Sequence, residues 1–290
     1  MGKEISGHYT ALITELIWGT TFISTKVLLS DFLPIEILFF RFLLGYFALW
    51  VICPHILRVK DRSEEVYFAL AGLTGACLYY LLENIALTYT LATNVAIIVS
   101  VAPFFTAVLS HVLSKERERI SPFFFIGFLI AFLGILLINL NGSRMDLNPK
   151  GDILALAAAF IWAIYSILCR KINSYGYNVV QSTRRTFFYG LLFMIPIFIA
   201  SGASFNLTGF KEFKNLFNLV FLGLGASAIS FVTWNYSVKR LGAIKTSVYI
   251  YLIPVVTIVF SAIFLSEPIT PMIGAGTVMT LSGLIVSELR

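Results

Sequence analysis

Long apolar segments dominate this sequence, and each is about long enough to cross a lipid bilayer. A bilayer core about 30 Å thick requires about 20 apolar residues per helical crossing. The segments are continuously apolar, whereas the strands of a transmembrane barrel alternate apolar and polar residues. The sequence therefore predicts an all-α membrane protein with ten transmembrane helices. They cover approximately residues 9–29, 34–54, 66–88, 93–114, 120–140, 151–171, 178–201, 216–238, 244–265 and 270–288.

The composition excludes a water-soluble domain of this length. Of the 290 residues, 58% are hydrophobic and only 12% are charged, whereas soluble domains carry about 25% charged residues. The longest connections, near residues 55–65, 141–150 and 202–215, are too short to contain another domain. We therefore expect one membrane domain, with the lipid bilayer as its first partner.

The net charge of +6 reflects where the basic residues lie relative to the predicted membrane. With a cytoplasmic N-terminus, most loop Lys and Arg residues fall on the inner side, as the positive-inside rule requires. The pattern predicts a multi-pass protein of the cell (plasma) membrane with both termini cytoplasmic. It gives no reason to expect a nucleic-acid partner.

The sequence contains none of the short motifs that mark enzymes and ATP-driven pumps. We find no HExxH motif, no phosphate-binding loop and no Ser/His/Asp constellation. Cys53, Cys77 and Cys169 fall in different segments without C-x-x-C spacing, which indicates neither a zinc site nor a disulfide framework. We therefore expect no catalytic residues, no cofactor and no bound metal. A channel is a less favoured alternative, because no TVGYG filter is present.

The chain contains one pattern twice. IWGTTFISTK in the first segment aligns with IWAIYSILCRK in the sixth, which pairs Trp18 with Trp162. The same offset, 162 − 18 = 144, pairs Arg41 with Arg185. Later pairs, at an offset of 151, are Pro103 with Pro254 and Asn84 with Asn235. Offsets this constant indicate an internal duplication.

Each copy contains five segments, and this odd number inverts the second copy across the membrane. We assign the two copies to residues 1–142 and 143–290, together forming one membrane domain. Inverted repeats are typical of transporters whose two halves move around a site near the bilayer midplane. The duplication therefore predicts a hydrated pocket between the halves that opens to each side in turn.

The repeated stretches resemble the drug/metabolite transporter superfamily, in particular its ten-helix EamA-type branch. The resemblance rests on IWG…STK in the first segment, on Arg41 in the second, and on A-x-x-x-x-x-x-P followed by L-S-x-E in the fourth. It covers roughly residues 11–140 and 152–288 and implies ten helices in two inverted repeats. It also implies secondary-active or facilitative transport, often export, of amino acids or similar small amphipathic metabolites by alternating access. Nucleotide-like or lipid-linked sugar compounds, carried by other relatives, are the alternative substrates.

One acidic residue, Glu15, lies about 10 Å inside the first predicted helix, where an ionised carboxylate is costly to bury. Glu15 shares a helical face with Trp18, while the second copy has Ala159 at the equivalent place. We expect Glu15 to bind a proton or a substrate amine, which makes protons a candidate second partner. The alternative is that Glu15 reaches the inner membrane interface or pairs structurally with a Lys or Arg residue.

Glu83 is the other deep acid, with Asn84 beside it and Tyr79 on the same helical face. These side chains are expected either to line the site or to form hydrogen bonds between helices. Arg41 is expected either to bind a substrate carboxylate through two hydrogen bonds or to form a structural salt bridge.

Aromatic and proline residues complete the predicted site. Trp162 repeats Trp18, and Tyr249 offers another ring for contact with a substrate, with aromatic packing as the alternative role. Pro103 and Pro254 interrupt two helices at equivalent positions, as hinges or as fixed bends. The predicted substrate-binding residues are Glu15, Trp18, Arg41, Tyr79, Glu83, Asn84, Trp162 and Tyr249.

Overall fold

The computed structural model describes residues 2–90, 92–113, 121–140, 148–203, 207–265 and 270–288, and within them the chain forms ten helices and no strand. The expected boundary between the copies, at residues 142–143, lies outside the described residues, as does most of the L-S-x-E motif. The helices are α1 (Gly2–Leu28), α2 (Pro34–Ile52), α3 (Glu64–Tyr89), α4 (Ala92–Val99 and Ala102–Leu113), α5 (Pro122–Leu140), α6 (Pro149–Ser174), α7 (Val179–Ala200), α8 (Phe213–Leu241), α9 (Ala243–Val248 and Leu252–Leu265) and α10 (Pro271–Glu288).

Most of these helices are suited to cross a bilayer. Seven of those in the described ranges are long and apolar enough to do so, and α5 and α10 contain shorter apolar stretches. Helix α1 falls outside both groups although it has 27 residues, and it carries Glu15 and Lys26 within its length. The all-α membrane fold predicted from the sequence is confirmed, and the count of ten crossings is approximate.

The contacts between helices stay the same when each helix of one repeat is replaced by its counterpart in the other, five places away in the numbering. Helix α1 packs on α8 and α9, and in the same way α6 packs on α3 and α4. Helix α2 contacts α8, as α7 contacts α3, while α2 also packs on α7 and α5 packs on α10. This pattern is that of two five-helix units related by a pseudo-two-fold axis. The centre of the molecule is therefore built from both units.

Helices α5 and α10 approach each other through small residues. A Cβ atom added to Gly283 would lie 2.6 Å from the carbonyl oxygen of Gly127 and closer still to the backbone nitrogen of Ala131. A Cβ on Gly134 would lie 2.6 Å from the backbone nitrogen of Thr280. Small residues allow such backbone contact in membrane helices, where van der Waals packing replaces the hydrophobic effect between helices.

Helices α3 and α8 each contain a widened, π-helical segment at an equivalent position. The segments are Gly72–Leu78 and Phe221–Ile229. At the offset of 151, the first segment corresponds to residues 223–229, which are the last seven residues of the second. Single π turns are rare in proteins as a whole, but those that do occur are often found at functional sites. Tyr79 directly follows the first segment. Our sequence analysis did not predict these segments, although GLTGACL and FLGLGASAI are both rich in small residues.

The repeated prolines accompany two interruptions. Helix α4 is broken between Val99 and Ala102, just before Pro103, and helix α9 tightens into a 3₁₀ turn at Tyr249–Tyr251, just before Pro254. Proline has no N–H and its ring clashes with the carbonyl four residues earlier, which explains why the change precedes the proline in both helices.

Candidate functional site

Three tryptophan rings from three helices meet at the centre of the molecule. Trp18 of α1 lies 5.1 Å from Trp162 of α6 and 5.4 Å from Trp234 of α8, measured between ring centroids, and Trp162 and Trp234 are also 5.4 Å apart. All three side chains are buried. The indole N–H of Trp18 donates to the carbonyl of Ala226 at 2.9 Å. Those of Trp162 and Trp234 have no hydrogen-bond partner in the described ranges.

Further rings extend this cluster towards α3. The centroid of Tyr79 lies 4.7 Å from both Tyr80 and Trp162. Phe231, one turn before Trp234, lies 5.9 Å from Tyr80. Because residues from both repeats contribute, the aromatic cluster lies at the interface of the two units. We call it the central cluster.

The central cluster encloses a cavity of about 10 Å³, which is the room of roughly one water molecule. The expected open, hydrated pocket is therefore wrong for this conformation, because aromatic rings fill the space between the units. The cavity is lined by Trp18, Thr21, Phe22, Tyr79, Tyr80, Glu83, Val99, Trp162, Ile250 and Ile253.

Glu15 lies in this closed centre without any partner that the structure describes. Its exposed fraction is 0%, and neither carboxylate oxygen has a hydrogen bond to a residue that the structure describes. Thr14 beside it contacts Thr233 of α8 through their hydroxyl oxygens at 2.6 Å, so this part of α1 packs firmly on α8. Glu15 lies one helical turn before Trp18 on α1, and it is therefore next to the central cluster.

Arg41 and Glu83 add two more ionisable groups to the centre. Arg41 is fully buried and donates from Nε to the Ser227 hydroxyl at 3.0 Å. Its guanidinium carbon lies 4.3 Å from the centroid of Tyr80. Glu83 is buried at the wall of the cavity and interacts electrostatically with Arg41 and Tyr79.

Four of the predicted site residues, Trp18, Tyr79, Glu83 and Trp162, line the cavity, whereas Glu15, Arg41, Asn84 and Tyr249 do not. Asn84 and Tyr249 make contacts elsewhere. The Asn84 amide donates to the carbonyl of Pro34 at 3.2 Å, which ties α3 to the start of α2. The Tyr249 hydroxyl lies 2.6 Å from Nδ1 of His8 in the first turns of α1. Tyr249 points away from the centre because the 3₁₀ turn directs its neighbour Ile250 to the cavity instead.

Three members of the central cluster, Tyr80, Phe231 and Trp234, were not among the predicted site residues. At the offset of 151, Trp234 is the repeat equivalent of Glu83 and Phe231 that of Tyr80. The signal that could have found them is the duplication itself, since a residue equivalent to a site residue in an inverted repeat faces the same centre.

The comparison with known proteins gives one consistent result. The EamA-like transporter family matches residues 5–140 and 149–289. An uncharacterised transporter of Archaeoglobus fulgidus is 29% identical over 98% of this chain and 97% of its own. A probable terminal-alkyne amino-acid exporter of Streptantibioticus cattleyicolor is 23% identical over 97% of this chain and 93% of its own. A solved crystal structure, 18% identical, superposes with a TM-score of 0.78 over 98% of this chain and 96% of that one, and so shares the fold.

Proposed function

Because this chain belongs to the EamA-like transporter family, and is therefore a membrane transporter and not an enzyme, we propose that it exports a small zwitterionic metabolite of the amino-acid class. The substrate binds in the central cluster, between the two repeats. The cluster opens to one side of the membrane at a time, and the closed centre is the conformation between the two. Both termini are cytoplasmic, and the membrane is the plasma membrane.

The unpartnered polar atoms at the centre are the observation that carries this proposal. Buried polar groups in proteins are almost always hydrogen-bonded, and one without a partner costs about 1–3 kcal/mol. At the centre such groups occur on Glu15, Arg41, Trp162 and Trp234, and the described ranges contain further ones away from it, such as Ser110 and Asn215. An amino acid offers an ammonium group to the carboxylate and a carboxylate to the guanidinium, and its side chain fits against aromatic rings. Such a ligand satisfies these atoms together.

The charges of the centre disfavour the alternative substrates. Nucleotide-like and lipid-linked sugar compounds carry phosphate groups, which need several cationic partners. In the described part of the centre, Arg41 is the only buried cation beside the aromatic rings, and the carboxyl groups of Glu15 and Glu83 are buried there as well. Like charges brought together cost several kcal/mol. A polyanion therefore fits this centre poorly.

Direction and coupling extend the proposal. The relative named as a probable amino-acid exporter supports outward movement. We propose protons as the coupling ion, with Glu15 binding either a proton or the substrate ammonium but not both. The interruptions before Pro103 and Pro254 are the proposed hinges, since they lie at equivalent places in α4 and α9.

Counterflow in proteoliposomes tests the proposed transport. Vesicles loaded with each of the common L-amino acids in turn receive the same amino acid, radiolabelled, outside. We expect saturable uptake that is stimulated by the internal substrate for at least one of them, because a carrier exchanges ligands across the membrane. Uptake that does not saturate and ignores the internal substrate would instead indicate a channel.

A further inference from the structure

We propose that Arg41 is the residue that selects substrates with a free carboxylate, by binding both oxygens of that group through its two terminal nitrogens. The inference rests on the proposed function, because it concerns the same central cluster. It goes further by separating the two recognition tasks. Arg41 recognises the carboxylate, and Glu15 recognises the ammonium group.

The guanidinium of Arg41 is held in a fixed orientation. Its Nε donates to the Ser227 hydroxyl at 3.0 Å, and its central carbon lies over the ring of Tyr80, 4.3 Å from the centroid. Ser227 belongs to the π-helical segment of α8, so the second repeat positions an arginine that comes from the first. A preorganised planar fork loses little freedom when it binds a planar carboxylate.

The two terminal nitrogens of Arg41 are the donors that remain. Both are buried, and neither has a hydrogen-bond partner among residues of the described chain. The ring of Tyr80 lies beside the guanidinium, 4.3 Å from its central carbon, and its hydroxyl is the nearest described acceptor, but neither terminal nitrogen meets hydrogen-bond geometry with it. Glu83 is also attracted to Arg41, yet no described carboxylate lies within ion-pair distance of it. Buried guanidinium donors are costly to leave unbonded.

The repeat equivalent of Arg41 shows what such an arginine does when a carboxylate is present in the protein. Arg185 of α7 donates from Nε to one oxygen of Glu65 at 2.9 Å and from a terminal nitrogen to the other oxygen. The hydroxyl of Tyr189 donates to the same carboxylate at 2.7 Å. A carboxylate of the protein thus occupies the guanidinium of Arg185. In Arg41 the Nε is bonded to Ser227, and its two terminal nitrogens have no partner among the described residues.

Arg41 and Glu15 both lie beside residues that line the central cavity. The guanidinium carbon of Arg41 is 4.3 Å from the centroid of Tyr80, and Glu15 lies one helical turn before Trp18 on α1. Tyr80 and Trp18 both line the cavity. A ligand bound there therefore meets a cation and an anion of the protein together, and an α-amino acid offers a carboxylate to the one and an ammonium group to the other.

The test compares amino acids with derivatives in which only the carboxylate is altered. Aliphatic and aromatic L-amino acids are each paired with their α-amides, and binding to the purified full-length protein is followed by tryptophan fluorescence. Three of the four tryptophans of the chain lie in the central cluster, which makes the signal local. We expect the wild-type protein to bind at least one acid about 10- to 100-fold more tightly than its amide, the range of a charge-assisted hydrogen bond.

Variants assign this preference to Arg41. We expect Arg41→Gln to remove the preference by weakening binding of the acid alone, and Arg41→Lys to retain part of it, since a lysine cannot bind both oxygens in a fork. Arg185→Gln is the matched control, because its carboxylate partner is Glu65. It is expected to lower the melting temperature and to leave the ratio of acid to amide affinity unchanged.

The outcomes separate this inference from the proposed function. Equal affinity for acid and amide in the wild-type protein would overturn the role of Arg41 while leaving transport of amines intact, and this comparison requires no variant to fold. A preference that survives in Arg41→Gln would also overturn it. If no member of the panel binds or is exchanged, the proposed function fails together with the inference.

Discussion

Replacing Glu15 with Gln is expected to weaken substrate binding by about 10- to 100-fold and to leave the protein at least as stable as the wild type. Gln has nearly the same shape but no charge, so the ammonium group of the substrate loses its anionic partner. Stability does not fall, because the side chain makes no hydrogen bond through its carboxylate oxygens to any residue that the structure describes. A buried ionised carboxylate in a membrane helix itself costs about 2.5–3.5 kcal/mol.

Affinity by tryptophan fluorescence and melting temperature are to be measured on the same preparation. Glu65→Gln is the control, since Glu65 pairs with Arg185 and Tyr189 away from the central cluster. It should lower the melting temperature and spare affinity, the opposite pattern to Glu15→Gln. If Glu15→Gln instead lowers the melting temperature and leaves affinity unchanged, Glu15 has a structural role. Flux that still responds to pH in Glu15→Gln would exclude Glu15 as the proton-coupling group.

Replacing Gly283 with Ala is expected to destabilise the protein, although the same change usually strengthens a helix. Ala is favoured over Gly inside helices by about 0.5–1 kcal/mol. At Gly283 the added methyl group would lie 2.6 Å from the carbonyl oxygen of Gly127 in α5. Backbone cannot move aside as a side chain can, so α5 and α10 must separate. Overpacking of this kind costs about 1–3 kcal/mol of stability. Thermal unfolding of the variant should therefore give a lower melting temperature than that of the wild type.

Gly274 in the same helix provides the matched control. A Cβ there would meet no atom of the described residues within 4 Å, so Gly274→Ala should keep the melting temperature or raise it. If the melting temperature falls in Gly283→Ala and does not fall in Gly274→Ala, the contact of α10 with α5 is the cause of the destabilisation. A melting temperature that changes equally in both variants would mean that the close contact of the two helices does not contribute to stability.

Most of the fold could be predicted from the sequence because lipid imposes a simple rule. Every backbone polar group in the bilayer core must be bonded internally, so apolar stretches of this length become helices. The prediction of 34–54 corresponds to Pro34–Ile52, and that of 178–201 to Val179–Ala200. The π-helical segments could not be predicted, because a run of small and apolar residues fits an α turn as well as a π turn. The first segment packs closely on α7, where a Cβ on Gly72 would lie 2.6 Å from the Thr186 carbonyl oxygen.

The site was predictable only in part. Glu15 and Arg41 stand out in the sequence because charged residues in membrane helices are costly, and both lie next to the central cluster. Tyr249 lies away from the central cluster. The sequence did not indicate this, because aromatic residues in an apolar chain carry little information about which face of a helix they occupy. The closed state of the cavity could not be predicted, since the sequence specifies the residues around the centre but not the conformation in which their rings meet.

The most direct test of the central claim is the exposure of the cavity wall to each side of the membrane. Thr21 lines the cavity and is buried, so a single cysteine is introduced as Thr21→Cys in a protein whose three native cysteines are replaced. A charged, membrane-impermeant thiol reagent is then applied to one side or the other of sealed vesicles. Alternating access predicts modification from both sides, slowed by a transported amino acid. A cysteine that reacts from neither side would show a solid structural core and contradict the account.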